Sequence, residues 1–198
     1  MTTFEDTLDR FRLSAAGSPE GVPLARLALL IAQAEYPDLD IAGYERRLLA
    51  LSQSLEVRIH PAADVHSQLA ELHKLLYDEC AFRGNELEYN DPRNLYLNDV
   101  IERQTGIPVT LAIIEVVVAQ RAGIRALPVG LPGRVVVRVE GPDGPIVVAI
   151  DGSAHSAAAA ERGFGQRPAA NTSTRATSTA ARAARARGAH VKVLSRSQ

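Results

Sequence analysis

The chain has 198 residues and a mass of 21.3 kDa, with 46% hydrophobic and 23% charged residues, a globular composition long enough for one sizeable core or a core with an extension. Its formal net charge of −1 joins two unlike parts: residues 1–151 hold 14 basic and 22 acidic residues, a balance of −8, whereas residues 152–198 hold 8 basic residues against Glu161 alone, a balance of +7. The single cysteine, Cys80, excludes a disulfide framework or multi-cysteine metal centre, the acidic start MTTFEDTLDR is not a secretory signal, and apolar runs such as residues 24–34 are too short to span a bilayer, so a soluble cytoplasmic protein is expected.

The first 85 residues read as helices. Phe4, Leu8 and Phe11 make a short apolar stripe over residues 4–13. Pro23 suits the first turn of a second helix, carrying Leu24, Leu27, Ala28, Ile31 and Ala34 on one face and ending at Pro37. Asp40 is placed to cap a third helix over residues 41–55, with Tyr44, Leu48, Leu51 and Leu55 at helical spacing. A fourth helix is expected over residues 64–82, presenting Leu69, Leu72, Leu75, Leu76 and Cys80 and stopping at Gly84-Asn85. No fixed repeat period links these helices, so an irregular helical region is expected rather than a repeat array.

An Asn90-Asp91-Pro92 turn then leads to a short helix over residues 94–104, with Asn94 or Asp91 as cap and Gly106 as its end. Pro108 opens the next helix, over residues 109–121, apolar on most sides and therefore expected to be central and buried. Beyond Gly123, residues 126–131 form a strand candidate, and the β-branched runs 135–139 and 146–150 flank a Gly-Pro-Asp-Gly-Pro turn, the pattern of a hairpin. Helices first and an antiparallel sheet afterwards indicate an α+β fold. Residues 152–198 are rich in Ala, Arg, Ser and Thr, with Phe164, Val191, Val193 and Leu194 as their large apolar residues. So few cannot offset the entropy of ordering that length of backbone, and a disordered basic tail is expected. An out-of-frame reading of a GC-rich gene would give the same composition.

Gly84-Asn85, Tyr89-Asn90-Asp91-Pro92-Arg93-Asn94-Leu95-Tyr96-Leu97-Asn98, Gly106-Ile107-Pro108-Val109-Thr110-Leu111 and Val129-Gly130-Leu131-Pro132-Gly133 follow one another in order. Over about residues 20–151 the sequence resembles the bacterial SirB-type proteins, whose transglutaminase-like domain often precedes tetratricopeptide repeats. The resemblance implies a degenerate transglutaminase-like, cysteine-protease-like core. Enzymatic members of that superfamily use a Cys–His–Asp triad, with the thiolate attacking an acyl carbon, the imidazole moving the proton and the carboxylate orienting the imidazole. The cysteine belongs at the start of the central helix, where this chain has Pro108-Val109-Thr110; the histidine belongs after the Val-Gly-x-Pro-Gly block, where it has Arg134. A guanidinium stays protonated and is no general base. The carboxylate position matches Asp151. Two of the three triad roles are thus missing, which points to a non-catalytic scaffold or protein-interaction module. The alternative is a hydrolase or acyltransferase built on Thr110 or an unrecognised group.

The candidate residues each carry a plainer reading. Thr110 suits a bond within the first helical turn, and Cys80 a buried position on the apolar face of its helix, with His73 two turns away and roughly 10 Å off along the axis. Asp91, Arg93, Asn94 and Asn98, with Arg134, make the candidate binding residues; the alternative is that Asp91 and Asn94 cap the short helix while Arg93 and Asn98 satisfy loop backbone. His60 and His66 have no metal-ligand spacing, and neither metal nor cofactor is expected. A protein partner is expected for residues 1–151; nucleic acid or an anionic surface would engage the basic tail.

Overall fold

In the computed structural model, residues 3–16, 23–60 and 62–150 are described. Asp151 and the basic tail lie outside them. Helix α1 (Phe4–Ala15) opens on a capping box: Thr3 Oγ1 accepts the Asp6 N–H at 3.2 Å and Asp6 accepts the Thr3 N–H at 3.2 Å. Helices α2 (Leu24–Glu35) and α3 (Ile41–Arg58) follow, the second capped by Asp40, whose carboxylate accepts the Gly43 N–H at 2.9 Å. Asp64 caps α4 (Val65–His73) in the same way through Ser67, at 2.8 Å. The short strands β1 (Arg83–Gly84) and β2 (Thr105–Gly106) pair in parallel, and α5 (Leu97–Arg103) lies between them in the chain. Helix α6 (Pro108–Arg121) then leads into an antiparallel sheet of β3 (Ala126–Leu131), β4 (Arg134–Gly141) and β5 (Gly144–Ala149), in that order.

The apolar character of α6 is explained by its place. Nine of its 14 residues are buried, and it packs against α2, α3, α5, β3 and β4. A helix covered on every side has no polar face to present to water. Leu29, Leu48, Leu55, Leu69, Leu72 and Leu76 from α2, α3 and the fourth helical segment join it in one core with Val137 and Val139 of β4.

Two boundaries differ from the sequence expectation. The helix expected over residues 64–82 is α-helical only to His73; Lys74–Glu79 is a π-helical turn, closed by Cys80 N–H donating to the Leu75 carbonyl at 2.9 Å. It stops at Ala81, which takes the left-handed conformation at φ 56°, not at Gly84-Asn85. The helix expected over residues 94–104 is likewise two pieces, a 3₁₀ turn Pro92–Asn94 and α5, and it ends at Gln104 in the left-handed region at φ 53° rather than at Gly106. The reason is the parallel ladder. Arg83 N–H donates to the Gln104 carbonyl and Asn85 N–H to the Gly106 carbonyl, both at 2.9 Å, so both glycines are taken into strands and the turns fall two or three residues earlier, on residues with side chains. Gly106 is required there for space: a Cβ would lie 2.8 Å from both Thr110 Oγ1 and Val100 Cγ1. The strand expected over residues 126–131 is β3, which joins the hairpin as a third strand in register from Ala126 opposite Val139 to Leu131 opposite Arg134.

Candidate functional site

The start of α6 is tied to the segment before α5 by side chains. Thr110 is buried, and its hydroxyl lies 3.0 Å from the carbonyl oxygens of both Asn94 and Ile107, which share its single proton. The same oxygen accepts the Ile107 N–H at 3.2 Å, so one backbone donor at the helix start is satisfied by a side chain within the first turn. Asn94 is also wholly buried. Its amide nitrogen donates to the Glu88 carbonyl at 2.8 Å and the Tyr89 carbonyl at 3.1 Å, while its oxygen accepts from the Asn85 side chain at 3.0 Å. Asn94 therefore locks the loop between β1 and the 3₁₀ turn onto the base of α6.

Asp91 caps that 3₁₀ turn by accepting the Arg93 N–H at 3.0 Å. Its carboxylate also takes Arg93 Nε and Nη2, the latter at 2.9 Å, and Arg103 Nη2 from α5 at 3.2 Å. The hydrogen bonds from Arg93, supported by the charge of Arg103, hold the Asp91 pKa below the ordinary carboxylate value. Arg103 Nη1 is buried with no hydrogen-bond partner, and so is Asn98 Oδ1, although Asn98 is buried on the same helix. Beside this cluster, Arg83, Glu86, Leu87, Glu88 and Arg103 line a cleft of about 480 Å³.

A second polar cluster lies deeper. Glu115, in the middle of α6, is completely buried; it accepts the Tyr77 hydroxyl at 2.6 Å and sits 3.2 Å from His73 Nε2. Burial of the His73 ring works against its charged form, but the Glu115 charge and hydrogen bond outweigh it and raise the pKa. The π-helical turn places Tyr77 beside His73, edge to face at 5.6 Å. Of this cluster only His73 was named from sequence, as a residue two turns from Cys80; Tyr77 and Glu115 were not. The cluster's one visible trace is a glutamate inside the run Leu111–Ala119, where an apolar residue is the default.

The structure brings Asp91, Arg93, Asn94 and Thr110 into one neighbourhood. Arg134 stands exposed at the start of β4, and no hydrogen bond or ion pair among the described residues joins it to them. Cys80 is half-buried against the core, and burial pushes its thiol pKa up, with Glu79 adding to the rise. No group of three or more His, Cys, Asp or Glu side chains suited to a metal ion occurs among the described residues, and no helix there is long and apolar enough to cross a membrane.

A family model described as the transglutaminase-like superfamily matches residues 42–192, about three-quarters of the chain. The chain belongs to the transglutaminase-like superfamily. A UPF0162 protein of Xylella fastidiosa strain 9a5c is 39% identical over 129 residues, which are 65% of this chain and 46% of that protein. The UPF0162 protein YchA of Escherichia coli K12 is 29% identical over 140 residues, 71% of this chain and 50% of that one. F-box only protein 21 of Mus musculus is 33% identical over 76 residues, 38% of this chain and 12% of its own. This transglutaminase-like chain spans about half the length of the UPF0162 relatives it matches. No solved structure matches it.

At the start of its central helix the chain has the hydroxyl of Thr110, which is already committed to the carbonyls of Asn94 and Ile107 and to the Ile107 N–H. Activation as a nucleophile needs a base within hydrogen-bond reach. The side chain of His73 is turned instead toward Glu115 and Tyr77.

Proposed function

We propose that this protein is a non-catalytic, transglutaminase-like interaction module, using the surface around Asp91, Arg93 and the adjoining cleft to hold a protein partner. The observation that carries the reading is the state of Thr110: buried, sharing its one proton between the Asn94 and Ile107 carbonyls and accepting from the Ile107 N–H, it acts as a strut between the loop and the central helix. A strut in the nucleophile's place supports a fold kept for its surface. Around it, Asn85, Asn94 and Asp91 fix the loop through side-chain hydrogen bonds, and a pre-ordered loop loses less entropy when a partner binds. The exposed side chains of Leu87, Tyr89 and Leu95 on and after that loop supply apolar contact area.

The test pairs two measurements on the full chain. Affinity capture from a lysate of the source cells is expected to recover a defined protein that is lost with Arg93→Glu, an exposed position whose change leaves the core intact. Electrophilic thiol and hydroxyl probes are expected to give no saturable labelling of Cys80 or Thr110. Saturable labelling of either, together with turnover that its substitution abolishes, would overturn the reading.

A further inference from the structure

We propose that the loop and cleft beside β1 and β2 form a two-fold interface between two copies of this chain, with Leu87 of each copy seated in the cleft of the other. The inference deepens the interaction reading by naming the partner, and rests on it for the choice of surface. Leu87 is 99% exposed and stands at the rim of the cleft of about 480 Å³, which it lines with Arg83, Gly84, Glu86 and Glu88. The loop that carries it is held: the Asn85 side chain accepts the Glu88 N–H at 3.0 Å, and Asn94 donates to the Glu88 and Tyr89 carbonyls. So fixed, Leu87 does not turn back into its own cleft, and a second copy can fill that space without reordering the loop.

Leu87 is not isolated. Exposed leucines are ordinary when single, whereas a group of exposed apolar residues marks a contact surface. Tyr89 and Leu95, also exposed, flank one brace, since Asn94 holds the Tyr89 carbonyl and directly precedes Leu95. Exposed Val109 precedes Thr110, whose hydroxyl meets the Asn94 carbonyl at 3.0 Å. The charges around this patch decide the kind of partner. Arg83, Glu86 and Glu88 are all exposed, and none makes an ion pair among the described residues. Both signs on one small surface select neither an anionic nor a cationic partner, but they match a copy of the same surface turned about a two-fold axis. Glu88 already lies in the field of Arg93, which leaves Glu86 to meet Arg83 of the partner subunit. The rotation repeats each contact, so both Leu87 side chains are covered and the Arg83–Glu86 pair forms twice.

Sedimentation velocity of the full chain across a concentration series tests the interface. A monomer–dimer equilibrium is expected, weak because the surface is small. Leu87→Glu puts a charge into the cleft and is expected to weaken the dimer by about tenfold or more, with the urea midpoint unchanged because the position is exposed. Arg83→Glu and Glu86→Arg should each weaken it by about tenfold, since each brings like charges together twice. Mixing those two variants re-forms both pairs in the heterodimer, so the equimolar mixture should associate almost as tightly as the parent. A chain that stays monomeric up to about 1 mM, a dimer unchanged by Leu87→Glu, or a mixture no tighter than its components would each overturn the proposal. A monomeric chain that still captures a different protein through Arg93 overturns it and leaves the interaction reading intact. Dimerisation with rescue on mixing supports the proposal even where Thr110 is labelled and turns over, an outcome that removes the interaction reading alone.

Discussion

Glu115 of α6 sits 3.2 Å from His73 Nε2, wholly buried, and accepts the Tyr77 hydroxyl at 2.6 Å, so one carboxylate joins the central helix to the fourth helical segment and its π-helical turn. Its negative charge raises the His73 pKa against the opposing effect of burial. A histidine whose folded pKa is raised contributes stability that is fully present below its unfolded value near 6.5 and is lost as the pH rises through the folded value. The protein is therefore expected to lose stability from this pair on going from mildly acidic to alkaline pH. Glu115→Gln should lower stability by about 1–3 kcal/mol in the acidic range and remove most of this dependence. In the variant, burial acts on His73 unopposed, so its pKa falls. Urea denaturation at several pH values and the His73 ring-proton titration by NMR check both statements; an unchanged titration in the variant would contradict the pairing.

Thr110 gives a second prediction. Thr110→Val keeps the shape but removes an oxygen that meets two carbonyls and an N–H. Leaving the buried Ile107 N–H without its acceptor should cost about 1–3 kcal/mol in urea denaturation. Thr110→Ser retains the oxygen and should cost less than Thr110→Val. Reversal of that order would mean the methyl group, not the hydroxyl, matters at this position.

Gly106→Ala tests the close approach of β2 to α5 and α6. The added methyl would stand 2.8 Å from Thr110 Oγ1 and from Val100 Cγ1, inside a buried neighbourhood with little room to give. Overpacking of this kind is expected to cost about 1–3 kcal/mol, read as a lowered thermal midpoint. A second consequence is displacement of Thr110, visible as altered amide shifts at Ile107 and Asn94.

Asp91→Asn tests the link between the 3₁₀ turn and α5. Hydrogen bonds from Arg93, with the charge of Arg103, depress the Asp91 pKa. A carboxylate with a depressed folded pKa contributes stability above its unfolded value, which is lost as the pH falls through the folded one. Asp91→Asn should thus be less stable than the parent at neutral pH, and the gap should close progressively on acidification. Denaturation midpoints measured across that range check the sign; a gap that widens in acid would refute it.

The order of elements was legible in the sequence because each carries its own local signal. Asp40 stands where a cap is needed, Pro108 where a helix begins, and the valine-rich runs on either side of residues 141–145 form the pair of strands. Those signals need only the neighbouring few residues to act. The boundaries that depart from expectation all depend on residues far apart in sequence. Gly84 and Gly106 look like helix stops, but the parallel ladder between Arg83–Gly84 and Thr105–Gly106 claims them and moves the left-handed turns to Ala81 and Gln104. The cleft and the His73–Tyr77–Glu115 cluster were hidden for the same reason, since they join residues 20 to 42 positions apart.

By itself the sequence determined the helix-then-sheet order, the buried central helix and the absence of a thiol at its start. Periodicity, caps and residue identity settle those without reference to any distant contact. Only the tertiary structure decided what the polar residues do: that Thr110 and Asn94 brace a loop, that Asp91 is shared by two arginines, and that Arg103 is left with a buried donor facing no partner. A side chain's hydrogen-bond partners and its exposure to water are properties of the assembled fold, set by which surfaces packing brings together.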